Sequence, residues 1–166
     1  VSGQLTKTDV DTNDTHTWSV NNGGAGQYGT FAVDTTGKWT YVLNNGSSQV
    51  QALAAGQTVT DTITVTINDG KGGTATQQVN VTINGANDAP TIGGASTGAV
   101  TEDATTTVTG QLTKTDVDTN DTHTWSVSNS GAGQYGTFSV NGSGQWTYVL
   151  ANGTSKVQAL AAGQTV

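Results

Sequence analysis

Cysteine, methionine and arginine are all missing from this chain of 166 residues, and proline occurs once, at Pro90. Without Cys there are no disulfides, thiolate metal ligands or cysteine nucleophiles. Five lysines against twelve Asp and Glu leave a formal net charge of −7. No basic surface can then neutralise a phosphate backbone, which excludes nucleic acid as a partner. Apolar residues make up 33% of the chain, and no apolar run approaches the roughly 20 residues of a membrane-spanning helix. No membrane insertion is expected, and no signal-like segment opens the sequence. So polar a chain invites a disordered reading. Four Trp, four Tyr and a clear alternation of apolar with polar residues supply a core and favour a folded one.

What the chain has in place of these is itself, twice. Gly3 to Val20 returns letter for letter as Gly110 to Val127, an offset of 110 − 3 = 107 that still holds at Tyr28/Tyr135, Trp39/Trp146 and Val59/Val166. That spacing is too long for a solenoid unit and suits a whole domain in a tandem array. Near-copies in an array act as spacers or multivalent display more readily than as one active site, so enzyme is the least favoured class. The acidic, Cys-free, Thr/Gly/Asn-rich composition reads as that of a protein outside a bacterial cell.

Period-two alternation is strongest from Val59 to Ile67, where Val59, Asp61, Ile63, Val65 and Ile67 take one face and threonines the other. β-Branched residues in that pattern predict a half-buried strand. Asn68–Gly73 reads as a turn, and Val79, Val81 and Ile83 alternate again, which completes a hairpin. Upstream, Trp18/Val20, Gly29/Phe31/Val33 and Trp39/Tyr41/Leu43 alternate in the same way. Only Val50–Gly56 reads as helical, with Val50, Leu53 and Ala54 on one face and Gly56 as its stop. About seven short strands per repeat predict an all-β chain of antiparallel sandwich modules with Ig-like or cadherin-like architecture. The stretch from Asn84 to Pro90 reads as a linker. Broken there, residues 1–86 form a repeat without its first strand, and 87–166 a repeat without its C-terminal hairpin. Three outcomes are then physically reasonable: two incomplete sandwiches, one sandwich closed by residues 87–107, or strand exchange between chains through open edges.

The sharpest local signal is Asp-Val-Asp-Thr-Asn-Asp, carried as Asp9, Asp11, Asn13, Asp14 and again as Asp116, Asp118, Asn120, Asp121. Ca²⁺ takes six to eight oxygen ligands at roughly 2.3–2.6 Å, and alternate loop residues can turn carboxylates inward together. Paired carboxylates at Asp9/Asp11 and Asp116/Asp118 would repel without a cation, which favours calcium there over plain turn chemistry. For Asp14 and Asp121 the two readings balance. Glu102-Asp103 and the linker pair Asn87-Asp88 are further candidates. Asp69 lies in Asn-Asp-Gly, ordinary hairpin-turn chemistry. An EF-hand counted from Asp9 fails, because its sixth and twelfth places hold Asp14 and Val20. Gly23–Gly29 likewise lacks the aspartate of the calcium-binding glycine nonapeptide. His16 and His123, one per repeat, have no partners for zinc or catalysis and read as loop histidines. Trp39 and Trp146 alternate with Tyr and Leu and read as core before sugar-stacking platform.

Taken together, Ala99–Asp103, Gly110–Leu112, Asp116–Asp118, Asp121–Trp125, Tyr135–Phe138, Trp146–Tyr148 and Val157–Leu160 make the chain resemble the VCBS repeat. Thr64–Gly70, Gly72–Ala75 and Asn87-Asp88 fit the end of that repeat. The resemblance implies Ig/cadherin-like modules of large bacterial surface adhesins of the RTX type, serving attachment and biofilm formation. Asn87–Pro90 is similar to the cadherin linker, where Asn and Asp bind inter-domain calcium with an Asp-x-Asp of the next module, here Asp116 and Asp118. The expected function is a calcium-stabilised extender whose partners are neighbouring repeats. A carbohydrate- or protein-binding module on the same scaffold is the alternative.

Overall fold

The computed structural model describes residues 1–166. Ten strands follow in chain order: β1 (Ser2–Gln4), β2 (Thr17–Val20), β3 (Gly29–Val33), β4 (Lys38–Leu43), β5 (Thr58–Asn68), β6 (Thr74–Asn84), β7 (Thr91–Gly94), β8 (Thr107–Thr115), β9 (Gly136–Val140) and β10 (Gln145–Leu150). Two single-turn helices, α1 (Ser48–Gln51) and α2 (Ser155–Gln158), interrupt them. Every strand pairing is antiparallel, in keeping with the all-β class. The chain divides into two compact units: Val1–Asp88 with Val117–Asn120, and Ala89–Asp116 with Asp121–Val166.

In the first unit two sheets, ordered β1-β4-β3 and β2-β5-β6, enclose one core. Phe31 and Tyr41 come from the first sheet, and Ile63, Val65, Val79 and Val81 from the second. Each such side chain taken from water contributes about 1.5–3 kcal/mol, so the β5–β6 hairpin, with four of the six, holds the sandwich shut. Along β5 the buried positions are Asp61, Ile63 and Val65, with Thr60 and Thr62 exposed; the alternation in the sequence is the alternation of the strand.

In the second unit a single sheet runs β7-β8-β10-β9. β7 pairs with β8, from Thr91↔Thr115 to Gly94↔Leu112, so the segment after the linker joins the second copy of the repeat. Trp146, Leu150 and Val157 are buried here. Superposed on one repeat, the strands of the two units occupy seven positions: β7, β8 (with β1), β2, β3 (with β9), β4 (with β10), β5 and β6.

The helical stretch is shorter than the sequence suggests. Ser47 caps α1, its Oγ accepting from the Val50 N–H at 3.3 Å, and the helix ends at Gln51 rather than at Gly56. Gly56 lies in the next turn at φ 84°, closed by the Gln57 N–H on the Ala54 carbonyl at 3.0 Å. A turn needing left-handed backbone is read as a helix stop because both favour glycine. Val50 and Ala54 are nonetheless buried.

Candidate functional site

The acidic loop of the first repeat joins β1 to β2, and the β5–β6 turn lies next to it. Asp9 closes a local turn by accepting from the Asp11 N–H at 2.9 Å, as loop Asp side chains do with the N–H two residues on. Its other oxygen accepts from His16 Nε2 at 2.8 Å, while His16 Nδ1 meets the Lys7 ammonium at 2.8 Å. A lysine ammonium can only donate, so Nδ1 is the acceptor and the neutral ring gives its Nε2–H to Asp9. The Asp11 N–H first, and His16 second, hold the Asp9 carboxyl below its ordinary value. Lys114, His123 and Asp116 repeat this chain at 2.8 and 2.7 Å.

Asp69 opens the hairpin turn. Its carboxylate accepts from the N–H groups of Lys71 at 2.7 Å and Gly73 at 3.0 Å. These amides, Lys71 first, lower its pKa, against desolvation and, as the smallest influence, the charge of Asp9. The reason for that opposition is geometric: carboxylate oxygens of Asp9, Asp14 and Asp69 lie within 4.8 Å of one another. Three negative groups from two connections, 69 − 9 = 60 residues apart, so form one oxygen-rich cluster. Two of them are candidates from the sequence. For the third, Asp69, the turn reading is ahead there. It does make the turn, and it also faces the loop.

The remaining candidates are distributed as follows. Asp11 is exposed and contributes its backbone N–H to Asp9. Asp118 is 5% exposed, belongs to the first unit, and accepts from the Asp88 N–H at 2.7 Å. Asn87 turns its side chain onto the Asp88 carbonyl at 2.7 Å. Glu102, Asp103, Asp116 and Asp121 belong to the second unit. Asp103 is engaged by Asn152, through its own N–H at 3.0 Å and its carboxylate at 2.8 Å. Glu102 Oε2 is buried and takes no hydrogen bond. Asp121 is half-buried.

One buried carboxylate escapes a search for acidic clusters. Asp61, 4% exposed, accepts from the N–H groups of Gln27 at 2.9 Å and Tyr28 at 3.0 Å, and from the Tyr41 hydroxyl. Burial first, and this carboxylate second, push the Tyr41 phenol up from its ordinary value. The signal in the sequence is an Asp on the apolar face of an alternating strand, which must find donors to be tolerated there. Asp61 ties the 25–28 loop to β5, a structural task.

A model of the bacterial cadherin-like domain matches the chain twice, over residues 1–85 and 87–164. The chain belongs to the bacterial cadherin-like domain family. The match accords with the antiparallel all-β architecture described above. Comparison with curated proteins gives no match. No helix of this cadherin-like chain is long and apolar enough to cross a membrane.

Proposed function

We propose that the chain is a non-enzymatic extender segment of a bacterial surface adhesin, built from VCBS-type repeats that calcium stabilises. The observation that carries this reading is the meeting of Asp9, Asp14 and Asp69 within 4.8 Å. The cluster offers hard oxygen donors alone, the chemistry that suits Ca²⁺. Asp9, Asp14 and Asp69 would hold the ion, which supplies the positive charge that turns mutual repulsion into ligation. What the residues do themselves is mechanical: Asp9 fixes the β1–β2 loop through the Asp11 N–H, and Asp69 fixes the β5–β6 turn. An ion shared between them would join the loop that links the two sheets to the β5–β6 hairpin. Extracellular modules of this kind need affinities of only about 10⁻⁴–10⁻³ M, and at 100 times Kd a ligand adds about 2.7 kcal/mol to stability.

Family membership supports a structural or adhesive extracellular module. The tryptophans favour the extender over a sugar-binding surface: Trp146 is 5% exposed, and Trp39 stacks on Phe31 at 5.3 Å against the core. Attachment and biofilm formation belong to the same proposal.

Calorimetric titration of the chain with Ca²⁺, paired with thermal melts, tests it. Expected are measurable heat, a raised melting temperature, and loss of both in Asp14→Asn and Asp69→Asn. An unchanged melt in excess calcium would overturn the metal reading and leave a plain β-sandwich spacer.

A further inference from the structure

The turn between β9 and β10 reads Asn141-Gly142-Ser143-Gly144, where the turn between β3 and β4 reads Asp34-Thr35-Thr36-Gly37. The two close alike. The Asn141 N–H donates to the Gln145 carbonyl at 2.9 Å and the Gly144 N–H to the Asn141 carbonyl at 3.0 Å, and Asp34 and Gly37 repeat both distances. In each turn one side-chain oxygen of the first residue sits in a cradle of three donors. At Asn141 these are the Ser143 N–H, the Ser143 hydroxyl and the Gln145 N–H, and at Asp34 their counterparts on Thr36 and Lys38. The cradle suits a carboxylate: the Thr36 hydroxyl, then the Thr36 N–H, hold Asp34 below its ordinary value.

The second repeat puts an amide in that cradle and follows it with glycine. Asn141 and Gly142 are both exposed. The Gly142 N–H donates no hydrogen bond, and the space where its Cβ would stand is open. A backbone nitrogen without a bonded proton or a neighbouring side chain is free to attack the amide carbon beside it. Four other Asn-Gly pairs occur, at Asn22, Asn45, Asn84 and Asn152, and none combines a free nitrogen with the cradle. The Gly85 N–H is engaged by the Gln57 carbonyl at 2.8 Å. Asp103 holds the Asn152 side chain at both its oxygen and its nitrogen. Asn22 and Asn45 engage their neighbours through main-chain carbonyls, so no donor polarises their side-chain amides.

We propose that Asn141 deamidates spontaneously through Gly142, and that the cradle directs the product to an aspartate turn like that of Asp34. Solvent hydroxide removes the Gly142 amide proton, and the nitrogen attacks Asn141 Cγ. The N–Cγ bond forms, the Cγ–Nδ2 bond breaks, and Nδ2 leaves as ammonia with a proton from water, which closes a succinimide. Negative charge develops on Oδ1 during the attack, where three donors already point, the arrangement that stabilises an oxyanion. Water then opens the ring. Addition at Cγ restores the Gly142 N–H and leaves a carboxylate in the cradle. Addition at the main-chain carbonyl carbon gives isoaspartate, which inserts a methylene into the backbone and disrupts the pairing of residue 141 with Gln145. The turn gains one negative charge, and no atom is oxidised or reduced.

The test ages the full chain at mildly alkaline pH and reads every Asn by peptide mapping with fragmentation that separates aspartate from isoaspartate. Freshly made Asn141→Asp marks the product, and the same chain in urea is the unfolded control. Expected in the folded chain is conversion at Asn141 ahead of Asn84 and Asn152, with aspartate as the main product at 141. In urea, and at Asn22 and Asn45, isoaspartate should predominate. Ser143→Ala removes one donor and should slow conversion at Asn141 about two- to tenfold. Conversion at Asn141 no faster than at Asn84 or Asn152, or the same product ratio folded and in urea, overturns the proposal. A Ser143→Ala chain that converts as fast as its parent overturns the cradle as the activating group.

Discussion

The same eighteen residues, Gly3–Val20 and Gly110–Val127, take different secondary structure in the two repeats. Thr17–Val20 is a strand because Val65–Asn68 of β5 pair with it. Thr124–Val127 has no such partner and is irregular. The reverse holds at the other end. Thr113–Thr115 extend β8 because β7 lies beside them, while Thr6–Thr8 belong to no strand. Burial divides in the same way: Phe31 and Tyr41 are buried under the hairpin, but Phe138 and Tyr148 are half-buried without one. Trp146 is buried by the segment after β7, and Trp39 is half-buried without it. Each repeat thus shows what the piece present in the other contributes, and strand formation here is decided by pairing rather than by propensity.

Truncation of the aromatics would break this comparison most severely. Phe31→Ala should cost about 3–5 kcal/mol, and Phe138→Ala distinctly less; Trp146→Ala should likewise exceed Trp39→Ala. Residue-resolved amide exchange, which reads each unit separately, checks both orders. A Phe138→Ala cost equal to that of Phe31→Ala would show that the hairpin does not set the burial. Next comes Asp61→Asn, which turns an amide donor toward groups that are themselves donors. A loss of about 1–3 kcal/mol is expected, confined to protection of the first unit and seen in the same exchange measurement.

Acid provides a third, smaller test. Asp34 is held below its ordinary value of 3.8 by the Thr36 hydroxyl and then the Thr36 N–H, and Asp69 is held low by the turn amides. A depressed carboxylate binds fewer protons folded than unfolded, so its contribution is present above 3.8 and is lost as pH falls through the folded value. The first unit should therefore weaken below pH 3.8, with a shallower loss in Asp34→Asn; melts on either side of that pH decide it. The smallest effect belongs to Asn141→Asp. Asn141 Oδ1 accepts from Ser143 N–H, Ser143 Oγ and Gln145 N–H at 3.0, 2.7 and 3.0 Å. Asp34 accepts the matching three at 2.8, 2.6 and 3.1 Å. The denaturation midpoint should move by no more than about 0.5 kcal/mol equivalent.

Much of the fold is legible in the residues because its signals are short-range. The threonine–aliphatic alternation of Val59–Ile67 predicts β5, Asn68–Gly73 predicts its turn, and the 107-residue offset predicts two copies of one module. The acidic loop is legible for the same reason, since Asp9 and Asp14 are five residues apart. Asp61 is half legible: its place on the apolar face shows in the alternation, but its donors lie on Gln27, Tyr28 and Tyr41. Asp69 is indistinguishable locally from any hairpin aspartate, because the same carboxylate makes the turn and faces the loop.

Period, turn chemistry and repetition are properties of neighbours along the chain, and they settled the class of the fold and the positions of its strands. Which copies of those strands formed, which aromatics were buried, and that Asp69 stands with Asp9 and Asp14 depended on residues about 20 to 60 positions apart meeting in space. Such meetings are set by how two sheets pair and pack, and identical local sequence is silent on them.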